Sequence, residues 1–142
     1  DNHEVLEIHR DTPKSDALSH LSEASFVFHL AGVNRPKSST DFNQGNVEFT
    51  QFIVDGLTNS DNAAPLVLAS STQASDNNDY GKSKLFAEEI IESYYKNTAN
   101  DGYIFRLPNV FGKWCKPNYN SVVATYLITS NFLSTKVGFL QY

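Results

Sequence analysis

The sequence predicts an α/β fold: a doubly wound, mainly parallel sheet with helices as its crossovers. Three observations carry this. Short runs dense in β-formers recur at Val5–Ile8, Phe26–Leu30, Leu66–Ala69 and Tyr103–Leu107. Between them lie stretches with apolar residues at helical spacing. Parallel neighbours need long crossovers, and helices supply them with right-handed connections.

Each element follows from local signals. Val5, Leu6 and Ile8 read as a strand, closed by His9-Arg10-Asp11-Thr12-Pro13. Asp16 is expected to cap a short helix with Leu18 and Leu21 on its inner face. Phe26–Leu30 is apolar almost throughout, which suits a strand covered on both faces, and it ends at Ala31-Gly32. Val47, Thr50, Val54 and Leu57 mark the next helix. Leu66–Ala69 is a buried strand ending in Ser70-Ser71-Thr72. A long helix follows from about Tyr80 to Asn97, its apolar face made of Leu85, Ala87, Ile90, Ile91, Tyr94 and Tyr95. Tyr103–Leu107 is a strand stopped by Pro108. Ser121 to about Ser130 reads as a further helix, and Phe132 to Tyr142 has no clear pattern.

The 142 residues are enough for one domain with a sizeable core. A net charge of −5 argues against a nucleic-acid partner, since phosphate backbones need a basic face. No apolar run approaches the ~20 residues of a membrane span, and the polar start does not read as a signal peptide. Cys115 is the single cysteine, which rules out an intrachain disulfide and fits a reducing, cytoplasmic setting. No His, Cys or acidic residues show metal-ligand spacing, so no metal is expected. The chain contains no Met, which reads as a fragment or a processed product.

Open α/β sheets bind ligands outside the carboxyl ends of their strands. That rule singles out His9-Arg10, Ala31–Asn34, Ser70–Thr72 and Pro108-Asn109. The chemistry concentrates after the third run. Tyr80-Gly81-Lys82-Ser83-Lys84 places a phenol and an amine at i and i+4, on one helix face. An ammonium beside a phenol favours the phenolate, which suits the pair to acid/base work. The Thr72 hydroxyl, eight positions earlier at a strand end, is placed to hold a substrate oxygen. The three groups fit reversible carbonyl reduction. By itself Tyr-x-x-x-Lys is a weak motif; its position after a strand ending Ser-Ser-Thr and an earlier strand ending Ala-Gly gives it weight. His29 reads as a hydrogen-bonded core histidine, and Trp114 as a loop anchor.

With those residues in view, the chain from about Glu4 to Thr125 resembles the extended short-chain dehydrogenases/reductases, the nucleotide-sugar epimerase/dehydratase group. The specific segments are His29–Pro36, Gly45-Asn46-Val47, Ser70–Thr72, Tyr80–Lys84 and the long run Arg106–Val122. The last makes the chain most similar to nucleotide-sugar reductases of capsular polysaccharide synthesis. The resemblance implies roles by position. Tyr80 is the acid/base, Lys84 also bonds the nicotinamide ribose, and Thr72 holds the sugar C4 oxygen. Leu30, Ala31, Gly32, Asn46 and Pro108 meet the cofactor, and Asn109 and Asn120 meet the nucleotide-sugar. Arg10, after the family's second strand, favours NADP(H) over NAD(H), because an Arg there accommodates a 2′-phosphate. The implied reaction reduces the C4 keto group of a UDP-4-keto-6-deoxy-N-acetylhexosamine, and the implied full-length enzyme is a homodimer.

The family's first strand and its Gly-x-x-Gly-x-x-Gly turn do not occur in this sequence, so the expected fold is a partial Rossmann-type sheet. Residues 1–125 are expected to form the partial NAD(P)-binding domain with the catalytic motif, and 126–142 a divergent tail. Made alone, the segment is expected to bind NADP weakly and to have little activity. Two alternatives stay open. One is a 4-epimerase or 4,6-dehydratase fragment, which Arg10 and the Gln73-Ala74 pair after Thr72 count against. The other is a non-catalytic truncated module, which the retention of both Tyr80 and Lys84 counts against.

Overall fold

A computed structural model describes residues 3–34, 36, 38, 40–98, 100–112, 115–118 and 121–129. They fall in two compact units, Asp1–Arg106 and Leu107–Tyr142. The first unit opens with α1 (Lys14–Glu23) and β1 (Val27–His29). A short α2 (Thr40–Phe42) runs through a π-helical turn (Asn43–Glu48) into α3 (Phe49–Asn59). Then come β2 (Leu66–Ser71), a 3₁₀ turn (Thr72–Ser75), α4 (Asp79–Asn97) and β3 (Gly102–Leu107). The strands form a parallel sheet in the order β1-β2-β3, with Val27, Phe28 and His29 opposite Leu66, Val67 and Leu68. The α/β class read from the sequence is the one observed.

The core lies between β2 and the helices. Leu66 and Leu68 on β2 meet Ile53, Val54 and Leu57 of α3, Ala87, Ile91 and Tyr94 of α4, and Leu21 of α1. Each such leucine, fully buried, contributes roughly 1.5–3 kcal/mol. Gly56 permits the α1–α3 approach, since a Cβ there would stand 2.7 Å from Leu21 Cδ1. Tyr95 fastens the end of α4 to the start of β2, its hydroxyl donating to the Leu66 carbonyl at 2.6 Å. Burial pushes that phenol up to about 12.

Four expectations are corrected. Residues 3–9 form no strand. A strand needs a neighbour's hydrogen-bond ladder, and β1 is itself the edge of the described sheet; Ile8 contributes only an apolar contact to the core. Pro13, not Asp16, occupies the position before α1, a place that requires no N–H donor; Asp16 sits in the first turn and Leu18 stays 43% exposed. Phe28 of β1 is 66% exposed and Phe105 of β3 53%, so the two edge strands are not covered on both faces, while β2 between them is buried along most of its length. Successive strands laid side by side in one direction, with right-handed crossovers, put every connecting helix on the same side. On α4 the buried face is Gly81, Ser83, Lys84, Ala87, Glu88, Ile91 and Tyr94, which leaves Leu85 exposed.

In the second unit α5 (Val122–Thr129) is capped by Ser121, whose hydroxyl accepts from the Ala124 amide at 3.2 Å. Cys115 Sγ accepts from the Gly112 amide at 3.1 Å, a local turn contact.

Candidate active site

The site is built where β2 ends and α4 begins. The three hydroxyls at the end of β2 and on the residue after it have separate tasks. Ser70 donates to Glu88 on α4. Ser71 accepts from the Gln73 amide at 3.2 Å and so starts the 3₁₀ turn. Thr72 is exposed, and its hydroxyl bonds to none of the described residues. Asn78 then caps α4, its side chain accepting from the Gly81 amide at 2.7 Å. Gly81 is where helix and turn meet most closely. A Cβ there would drive into the Gln73 carbonyl oxygen and stand 2.8 Å from that of Asp76. The glycine between Tyr80 and Lys84 is therefore what lets the first turn of α4 rest on the backbone that carries Thr72.

Tyr80 is half-buried, its ring 5.8 Å from that of Phe42. One turn on, Lys84 is 5% exposed, and its ammonium donates to the Ala69 carbonyl at 3.0 Å. Burial lowers the Lys84 pKa, and the Glu88 carboxylate one turn further opposes the fall. The same ammonium bears on His29, which burial first and Lys84 second push down to about 4. His29 Nε2 lies 2.8 Å from the Thr50 hydroxyl, and that hydroxyl donates to the Asn46 carbonyl at 2.6 Å. Since the Thr50 proton is committed to Asn46, the imidazole donates through Nε2–H and is neutral.

The loop after β1 is pinned by Asn46, from the π-helical turn. Its Oδ1 accepts from the Val33 amide at 2.8 Å, and its Nδ2 donates to the Val33 carbonyl at 3.0 Å and to Ser83 Oγ at 2.8 Å. Ser83 in turn donates to the Tyr80 carbonyl at 2.7 Å. The β1 loop, the π-helical turn and the Tyr80–Lys84 turn are thus one connected unit. A Cβ on Gly32 would come within 3.0 Å of both Asn46 Oδ1 and Lys84 Nζ.

Of the residues singled out in the sequence, Gly32, Asn46, Tyr80 and Lys84 are drawn together, with Thr72 on the turn against α4. Leu30, Ala31 and Gly32 are exposed, whereas Asn46 is 1% exposed and holds backbone. Arg10 is exposed in the turn after residues 3–9. Pro108 and Asn109 are exposed residues of the second unit, and Asn120 lies outside the described residues. Sequence reasoning missed Glu88 and Arg106. Glu88 is 3% exposed and receives the Arg106 guanidinium, with Nη2 at 2.7 Å from Oε2. The signal was a carboxylate one turn after Lys84, on the buried face of α4. Among the described residues no cluster suited to a metal occurs, and no helix is long and apolar enough to cross a membrane.

The likeness to known proteins extends over most of the chain. The profile of the NAD dependent epimerase/dehydratase family matches residues 3–136. The chain belongs to that family. It is 43% identical over 123 residues to the UDP-2-acetamido-2,6-beta-L-arabino-hexul-4-ose reductase of Pseudomonas aeruginosa, covering 87% of this chain and 33% of that protein. The crystal structure of the capsular polysaccharide assembling protein CapF from Staphylococcus aureus superposes with a TM-score of 0.76 at 41% identity, covering 99% of this chain and 38% of that one. The UDP-glucuronic acid 4-epimerase of Bacillus cereus, solved with NAD, superposes with a TM-score of 0.67 at 20% identity, over 89% of this chain and 44% of that one, a likeness of fold. The chain thus spans about a third of the length of the reductase it matches.

Proposed function

We propose that this chain carries the catalytic part of an NADPH-dependent nucleotide-sugar reductase, acting on the C4 keto group of a UDP-4-keto-6-deoxy-N-acetylhexosamine. The observation that carries the reading is the division of labour at the end of β2. Two of the three hydroxyls are engaged in structure, while that of Thr72 is left exposed on the turn against which the Tyr80–Lys84 turn rests. The similarity to the Pseudomonas reductase supports the substrate class, and the similarity to CapF supports a place in capsular polysaccharide synthesis.

The residues present fit a nicotinamide dinucleotide. Leu30, Ala31 and Gly32 are exposed after β1, and Gly32 has no side chain where a Cβ would crowd the Lys84 ammonium. Leu30, Ala31, Gly32 and Lys84 would hold the group, with Asn46 keeping the loop in place, Pro108 beside the nicotinamide and Arg10 at a 2′-phosphate. Reduced nicotinamide, when bound, supplies hydride to the carbonyl carbon. The chain's own residues handle the oxygen: Thr72 donates a hydrogen bond to it, and Tyr80 gives it the phenolic proton. The Lys84 ammonium stabilises the phenolate left behind. Asn109 and Asn120 would contact the nucleotide-sugar. We place the enzyme in the cytoplasm as a homodimer at full length.

Tyr80→Phe in the full-length protein tests this. NADPH consumption with the keto-sugar nucleotide should fall at least ~10²-fold, with NADPH affinity, measured by fluorescence titration, close to wild type. Normal turnover in that variant would refute the assignment.

A further inference from the structure

Glu88 and Arg106 form a brace that the reaction chemistry does not call on. The Glu88 carboxylate is buried on α4, on the same helix face as Lys84 and one turn beyond it. It accepts from Ser70 at the end of β2 and from the fork of Arg106 on β3. Arg106 Nε lies 3.0 Å from Oε1 and 3.1 Å from Oε2, and Nη2 lies 2.7 Å from Oε2. The remaining arm of the guanidinium, Nη1, donates to Ser75 Oγ at 3.1 Å.

Ser70 and Ser75 bracket the segment that carries Thr72. One is the residue before Ser71, which caps the 3₁₀ turn, and the other is the turn's last residue. Both ends of that segment are therefore tied to a single carboxylate–guanidinium pair, and the carboxylate belongs to the helix that carries Tyr80 and Lys84. The geometry points to Glu88 and Arg106 as positioning residues: they fix the turn bearing Thr72 against the helix bearing Tyr80 and Lys84. This rests on the carbonyl-reduction reading above.

The chemistry suits the task. A buried carboxylate is tolerated when it is paired and its lone pairs are filled, and the Arg fork with the Ser70 hydroxyl does both. Arg is needed because a planar fork can grip the carboxylate with two nitrogens while a third reaches Ser75; an ammonium has no such reach. The Glu88 charge also opposes the loss of the Lys84 proton on burial.

The test compares Glu88→Gln, Arg106→Lys and Ser75→Ala with Tyr80→Phe in the full-length protein, reading kcat, both KM values and thermal midpoint. Glu88→Gln keeps an acceptor for Ser70 and leaves Arg106 free to be hydrated, so the fold is least disturbed. A misplaced reacting group costs up to ~10²-fold. Glu88→Gln and Arg106→Lys should each lower kcat roughly tenfold to a hundredfold, with both KM values within about threefold of wild type. Ser75→Ala, at an exposed residue, should lower kcat by a smaller factor and leave the thermal midpoint unchanged. Wild-type kcat in Glu88→Gln and Arg106→Lys, with Tyr80→Phe inactive, would overturn the brace and leave the reductase reading standing. A loss of kcat that only tracks loss of folded protein at the assay temperature would also overturn it. An active Tyr80→Phe would remove the reading on which the brace rests.

Discussion

His29 ties acid stability to the site. At the end of β1 it is 2% exposed and faces Thr50 of α3, and its Nδ1 has no hydrogen-bond partner among the described residues. Protonation would bury an unsatisfied donor and place a second cation near Lys84. Both effects disfavour the charged ring, and its pKa falls from 6.5 to about 4. At ~1.4 kcal/mol per unit, the full linkage is about 3 kcal/mol. The sign follows from which state binds the proton. Between pH 6.5 and 4 the unfolded chain holds it and the folded chain does not, so stability rises with pH across that window. The contribution is complete above about 6.5, is lost as pH falls toward 4, and changes no further below that. His29→Gln retains an N–H for Thr50 and does not titrate. Urea unfolding of wild type and His29→Gln at intervals from pH 4 to 7 isolates the term from carboxylate titrations common to both. The stability advantage of wild type over the variant should shrink by about 3 kcal/mol on acidification from pH 7 to pH 4. A difference that stays constant across the range would show that His29 does not carry the linkage.

Two further outcomes follow, one from the geometry and one from the proposed cofactor. Gly81→Ala puts a methyl group into the Gln73 and Asp76 carbonyls, both backbone atoms with little room to give. Overpacking of this kind costs roughly 1–3 kcal/mol, which should exceed the ~1 kcal/mol that alanine gains over glycine in a helix. A thermal midpoint at or above wild type would contradict the close approach of turn and helix. Arg10→Ser should lower kcat/KM for NADPH on the order of tenfold to a hundredfold, as expected for one lost charge-assisted bond, and leave NADH almost unaffected. An unchanged ratio of the two cofactors would count Arg10 as a solvated surface charge.

What could be read in advance divides along physical lines. Thr72, Tyr80 and Lys84 were legible because their relation is local: four positions on one helix, and a hydroxyl where a buried strand stops. The main helices declared themselves by spacing, while the cap expected at Asp16 was misplaced; the parallel sheet followed from alternation. Val5–Ile8 misled because pattern reports a residue's preference, whereas a strand exists only with a partner ladder. Phe26–Leu30 misled for a related reason. A continuous apolar run states that both faces can be covered, while chain direction and crossover hand decide which face the neighbouring helices take.

Glu88 was missed because its one signal, a position one turn after Lys84, is faint: a buried, paired carboxylate looks, in a sequence, like any charge on a solvated helix. Its partners stand 18 positions away on either side, at Ser70 and Arg106. Yet such polar residues set the register of α4 on β2. Tyr95 reaches the Leu66 carbonyl at 2.6 Å, Lys84 the Ala69 carbonyl at 3.0 Å, and Glu88 the Ser70 hydroxyl. The later part of the helix is tied to the start of the strand and the earlier part to its end, so α4 runs back along β2. Leucine and isoleucine contacts make that layer stable, but they tolerate sliding. Directional bonds do not, because a shift of one turn would leave a buried carboxylate, an ammonium and a phenol without partners. The polar ties on the buried face are therefore what convert a generic helix-on-strand packing into one where Tyr80 and Lys84 are held at a fixed place relative to Thr72.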